Sequence, residues 1–252
     1  GSGCGAMFLH DLRWPDPFSN AVYTCDWGTS NVYLHNLPAE GATFKAHQEV
    51  FLKIPRPTDI DVDGSGRMYV SSWKNGKFAY DGPNVGFVAQ ITPIDFTPKP
   101  FPNLNTASET DVLDCLMSPS AVYRQHGQLE LLRRGPSQDR INALASFAGS
   151  DSAPLYGRVA ALYTLKQLLG PDSNTPLLTL LASDSIREFA LRALTDRKVG
   201  LDKLPLEPFL AALKDENPRV RAQALISLGR LGRAEAGEAI LPLTKRPSDL
   251  PK

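Results

Sequence analysis

Two internal repeats with different periods constrain this chain more than any other feature. YTCDW occupies residues 23–27 and YVSSW occupies residues 69–73; 69 − 23 and 73 − 27 both give 46. A strand-rich repeat in the forties is the signature of a four-stranded propeller blade. About two such units fit before the pattern stops. Two blades cannot close a ring, and an open ring leaves sheet edges unpaired. The expected fold therefore begins with a partial β-propeller of about two blades, a piece of something larger.

Residues 1–107 read as all-β. Short runs at 21–26, 31–35, 49–54, 59–62, 68–72 and 86–92 carry the strand residues Val, Tyr, Ile and Thr. Turn-rich segments separate them: RWPDP at 13–17, NLPAEG at 36–41 and NGKFAYDGPN at 75–84. DGSG at 63–66 is a hairpin signal between two of the runs. Pro93, Pro98, Pro100 and Pro102 then mark an extended linker.

Beyond residue 108 the apolar period changes from 2 to 3.6. Helices are predicted at 110–117, 119–133, 138–147, 154–169, 174–182, 185–196, 206–214, 217–231 and 235–244. Every second one carries Arg, then a small residue three positions on, then Leu four further: Arg124/Gly127/Leu131, Arg158/Ala161/Leu165, Arg187/Ala190/Leu194 and Arg221/Ala224/Leu228. The small residues admit close helix contact, and the Leu lies on the same face. Paired helices repeating in the thirties predict an α-solenoid of HEAT-like repeats over 108–252. In the last repeat Asn217 is placed to cap, Pro218 suits the first turn, and Gly229 and Gly232 mark the end.

The formal net charge is zero, which argues against a broad nucleic-acid or anionic-membrane surface. No apolar run approaches the length of a membrane span. The first residues, GSGCGAMF, contain neither a basic nor a long apolar segment, so no signal peptide is visible. Cys4, Cys25 and Cys115 form no Cys-x-x-Cys pair. They read either as three unlinked residues or with Cys4 and Cys25 joined, and spacing alone does not choose. His10, His35, His47 and His126 are scattered, and no nucleophile–base pair or catalytic residue emerges.

Three features invite functional readings. Asp59, Asp61, Asp63 and Gly64 match the opening of a calcium loop, but Val70 stands where its closing Glu belongs. A strand–turn–strand hairpin is the expectation there, with no metal site. Arg56 and Asp59 stand where a blade's first strand begins, at the edge that faces the axial channel of a propeller. They are the candidate cofactor-binding residues; the alternative is that they make structural hydrogen bonds. Trp27, Trp73 and Lys74 end the equivalent second strands and read as packing. Arg124, Arg158, Arg187 and Arg221 form a ladder that either binds an acidic partner or ties neighbouring helices together; the second is expected.

The strings RWPDP, AVYTCDWG, HNLPAEGATFKAHQEVFLKIPRPTDIDVDGSGRMYVSSWKNG and GPNVG resemble the last blades of large secreted proteins of Planctomycetes and Verrucomicrobia. DCLMSPSAVYRQHGQLELLRRG at 114–135 resembles the start of their HEAT region. That family couples a glucose/sorbosone-dehydrogenase-like propeller, of the membrane-bound dehydrogenase type, to HEAT repeats and then to a c-type haem domain. The resemblance implies quinone-dependent oxidation of a sugar or alcohol, with Arg56 meeting a carboxylate of pyrroloquinoline quinone. It implies c-type haem only for the parent protein, since CxxCH is absent here. It also implies a periplasmic or extracellular location. On this reading the chain's partners are the remaining blades and the haem domain, and the chain alone is expected to be inactive. The rival reading is a non-catalytic scaffold that binds a protein or a carbohydrate.

Overall fold

A computed structural model of the chain describes residues 1–74 and 84–245. Most of the turn-rich segment 75–84 and the last residues, 246–252, lie outside the described residues. A sheet-rich region is followed by a helical one, as the change of period requires. The strands are β1 (Gly3–His10), β2 (Asn20–Asp26), β3 (Asn31–Asn36), β4 (Ala39–Glu40), β5 (Thr43–Phe44), β6 (His47–Lys53), β7 (Pro57–Val62), β8 (Met68–Ser72) and β9 (Phe87–Ile91). The helices are α1 (Glu109–Cys115), α2 (Ala121–Arg134), α3 (Gln138–Gly149), α4 (Leu155–Leu169), α5 (Asn174–Thr179), α6 (Arg187–Leu194), α7 (Glu207–Ala212), α8 (Pro218–Leu231) and α9 (Ala236–Ile240).

Two compact units form. One holds Gly1–Pro38, Lys45–Asn103 and Ser118–Tyr123; the other holds Ala39–Phe44, Leu104–Met117 and the chain from Arg124 onward.

In the first unit, an antiparallel sheet of order β1-β2-β3-β6 lies beside a second of order β7-β8-β9. Alternation sends Ala21, Tyr23 and Cys25 of β2 and Val32 and Leu34 of β3 to one face, where they are buried with Ile60, Met68 and Val70 of the second sheet. One core thus serves both sheets. The two sheets repeat each other in register. Asp26 pairs with Asn31, and Ser72 with Phe87. Trp27 N–H donates to the Ser2 carbonyl at 2.9 Å, and Trp73 N–H donates to the Arg56 carbonyl at 3.0 Å. The offset is not constant along the unit. It is 46 for the second strands, 54 for Ser2 and Arg56 (56 − 2), and 56 for Asn31 and Phe87 (87 − 31). Loop lengths absorb the difference while the hydrogen-bond pattern is kept.

The DGSG segment makes the expected hairpin turn. Asp63 N–H donates to the Arg67 carbonyl at 2.9 Å, and Gly66 takes a φ of +91°, which favours glycine. The Asp63 carboxylate accepts from Ser65 Oγ (2.6 Å), Arg67 N (3.0 Å) and Tyr69 Oη (3.0 Å). Partial burial opposes its ionisation, but these donors outweigh burial and lower its pKa. Trp14 Nε1 donates to the Gly66 carbonyl at 2.8 Å, tying the loop after β1 to this turn.

In the second unit the repeated Arg/small/Leu pattern is the packing face. Gly127, Ala161, Ala190 and Ala224 are buried, as are Leu131, Leu165, Leu194 and Leu228. A Cβ on Gly127 would lie 2.8 Å from the Cys115 Cβ, so α2 and α1 meet as closely as the small residue permits. Ser108 and Asp111 form a capping box at α1, and Asn217 Oδ1 caps α8. Gly232 ends α8 with a φ of +64°. Gly229, read from sequence as a second end marker, instead lies inside α8: glycine permits a left-handed turn but does not impose one.

Lys166, in the last turn of α4, is 3% exposed. Burial lowers its pKa from the ordinary 10.5, with Asp196 pulling the other way. A base with a depressed folded pKa weakens the fold at neutral pH, and the penalty fades as pH rises toward 10.5. Lys166→Met is expected to stabilise the chain at pH 7 by about 1 kcal/mol. In urea titrations, the gap between variant and parent should narrow as pH approaches 10.5. A destabilised variant would mean that the ammonium contributes to the fold.

Candidate functional site

Arg56 stands between Pro55 and Pro57 with a φ of +45°, at the start of β7. Two prolines restrict the flanking backbone, and Arg56 takes up the turn between them. Its N–H donates to Ser30 Oγ at 3.3 Å, and its carbonyl accepts the Trp73 N–H. The guanidinium lies over the Trp27 ring, 4.5 Å from its centroid. Trp27 and Trp73 contact each other at 6.1 Å between centroids, with planes tilted by 50°. The first sheet's β2 end, the loop before β3, the start of β7 and the end of β8 therefore meet at one corner. Arginine over indole is a favourable arrangement, worth about 0.5–1 kcal/mol where exposed and more when desolvated.

Asp59 is exposed, and its Oδ1 accepts from the Ile60 N–H at 2.9 Å. Asp61 accepts in the same way from Val62 at 2.8 Å. The three aspartates thus go to local backbone and turn donors. Among the described residues, no group of three His, Cys, Asp or Glu is placed to hold a metal ion. His35 Nε2 is 2.8 Å from Thr24 Oγ1 across the β2–β3 pair. What the corner offers chemically is a cation stacked on one of two half-buried indoles, a set suited to binding.

Sequence reading named Arg56, Asp59, Trp27 and Trp73. It did not find Ser30 or Gly5. A Cβ on Gly5 would lie 2.5 Å from the Asp59 Cα, so β1 and β7 touch backbone to backbone there. Only the two adjacent glycine-containing steps of GCGAMF hint at this.

Arg124, Arg158 and Arg187 of the arginine ladder reach the following repeat, and Arg221 reaches the loop before its own helix. Arg158 is 3% exposed. It donates to the Ala148 carbonyl ending α3 (3.0 Å) and to Ser183 and Ser185 before α6 (2.9 and 2.8 Å). Arg187 donates to the Leu181 carbonyl at 2.7 Å and pairs with Asp215 of the next repeat. Arg221 donates to the carbonyls of Asp215 (2.8 Å) and Glu216 (2.9 Å). Arg124 stacks on Tyr156, 4.6 Å from its centroid. No described helix is long and apolar enough to cross a membrane.

Residues 174–251 match a family model described as HEAT repeats. No curated protein and no solved structure gives a significant match to the chain.

Proposed function

We propose that this chain is a non-catalytic scaffold, in which consecutive β-propeller blades are joined to a HEAT-type array that holds a protein partner. The observation that carries the reading is the HEAT-repeat match over 174–251. Arginines that clamp one repeat to the next support it, because stacked repeats present extended helix faces to partners. The propeller part draws support from the register shared by the two sheets. A direct test uses the intact protein that contains this chain, reconstituted with pyrroloquinoline quinone and assayed for dye-linked oxidation of aldoses and alcohols. No turnover is expected; turnover would overturn the scaffold reading. Cross-linking mass spectrometry in native extract should then place partner cross-links on the helices between residues 109 and 245.

A second reading, a piece of a quinone-dependent dehydrogenase, is favoured by Arg56 and Asp59 standing at one strand start. Stacking on Trp27 uses the face of the guanidinium, whereas a quinone carboxylate would bind at its N–H edge. The quinone would supply the two-electron oxidation, with c-type haem and the remaining blades in the parent and a periplasmic or extracellular setting. Here Arg56→Ala in the intact protein is expected to weaken quinone binding by about 1.5–3 kcal/mol. Unchanged binding in a fluorescence titration would remove Arg56 from the site.

A further inference from the structure

The β1–β2 ladder is interrupted once. Gly3 pairs with Asp26 and Ala6 with Thr24, so Cys4 and Gly5 together oppose the single residue Cys25. Two residues facing one is a β-bulge. Cys4 Sγ lies 3.6 Å from the Cys25 carbonyl oxygen and 3.0 Å from that of Pro57. It therefore reaches over β2 on the side that β7 covers. Cys25 is buried on that same side, in the core shared with Ile60 of β7. Opposed residues in an antiparallel ladder have Cα atoms about 4.5–5.5 Å apart, inside the roughly 4.4–6.8 Å that a disulfide needs. The two thiols differ in access: Cys4 is exposed and Cys25 is buried.

We propose that Cys4 and Cys25 are a redox-active pair that closes into a disulfide across this bulge by exchange with a small glutathione-type disulfide. The Cys4 thiolate attacks one sulfur of the small disulfide, whose S–S bond breaks and releases one thiol. Cys25 then loses its proton to solvent and attacks the Cys4 sulfur of the mixed disulfide, releasing the second thiol. Two protein thiols are oxidised by two electrons, and one small disulfide is reduced to two thiols. Burial, reinforced by Cys4 and Asp59 nearby, pushes the Cys25 thiol up to about 12. Its thiolate is scarce at neutral pH, so ring closure is the slow step, and its rate rises about tenfold per pH unit. Closure takes Cys4 Sγ away from the Pro57 carbonyl, beside Arg56. The thiol state is thereby coupled to the corner formed with Trp27 and Trp73.

The test incubates the whole chain with glutathione disulfide at alkaline pH and counts thiols by maleimide labelling after denaturation. The count should fall from three to one, the mass should drop by two hydrogens, and peptide mapping should join Cys4 to Cys25. Closure should be about tenfold faster at pH 8.5 than at pH 7.5. Cys25→Ser should stop at a glutathione adduct on Cys4. Cys4→Ser, a change at an exposed position, should leave both remaining thiols intact. Three persisting thiols, a lasting glutathione adduct on the parent chain, a disulfide-linked dimer or a bond involving Cys115 would each overturn the proposal.

Discussion

Arg158→Ala is expected to cost the helical unit about 2–4 kcal/mol, from a buried carbonyl left without its donor and the cavity the side chain leaves. The guanidinium is 3% exposed and meets acceptors in two different repeats: the Ala148 carbonyl behind it, and Ser183 and Ser185 ahead. An ion pair with Asp151 at 2.9 Å completes the set. Alanine would leave the buried carbonyl at the end of α3 without its donor and would open the volume the side chain fills. Arg158→Lys should recover only part of the loss, because one ammonium cannot span acceptors that a planar fork reaches together. Arg221→Ala should cost less, about 1 kcal/mol, since its carbonyl acceptors lie nearer solvent. The measurement is urea unfolding followed by helical circular dichroism. A loss below about 1 kcal/mol for Arg158→Ala would mean that the clamp does not hold the repeats together.

The helical half was legible because its determinants are local. Pro218 at a first turn, Asn217 as a cap and the spacing from Arg158 to Ala161 to Leu165 are all read within one helix length. The structure adds what each Arg reaches, which depends on the neighbouring repeat. The sheets were legible where strands alternate, as in β2 and β8. They were not where pairing itself makes the strand. In β1, Gly3, Cys4 and Gly5 have weak strand preference, and the segment is extended because β2 supplies its partners. The two-residue strands β4 and β5 are too short to give a period. The candidate corner was half legible. Arg56 and the two tryptophans could be named from their positions in the repeat, but the stacking of Arg56 on Trp27 could not. Ser30 and Gly5 join only through the approach of β7 to the first sheet, a non-local contact that no spacing encodes.

That approach makes Gly5 the second sensitive position. A Cβ there would lie 2.5 Å from the Asp59 Cα and 3.0 Å from the Thr58 carbonyl oxygen. Both are backbone atoms, so relief requires β7 to move as a strand. Gly5→Ala is expected to destabilise the sheet unit by about 1–3 kcal/mol, and Gly5→Val by about 3 kcal/mol or more, as overpacking against an unyielding neighbour does. Gly3 is the internal control. Nothing lies within 4 Å of its would-be Cβ, and replacing a strand-interior glycine at a compatible site gains up to about 1 kcal/mol. Gly3→Ala should therefore be neutral or slightly stabilising. Displacing β7 would also draw Arg56 from Trp27 and separate Trp27 from Trp73, so the near-ultraviolet signal of the paired indoles should fade in Gly5→Val. The helical signal at low denaturant should persist. A Gly5→Val variant as stable as the parent, with its tryptophan signal intact, would mean that β1 and β7 are not in backbone contact and that the corner is held by its side chains alone.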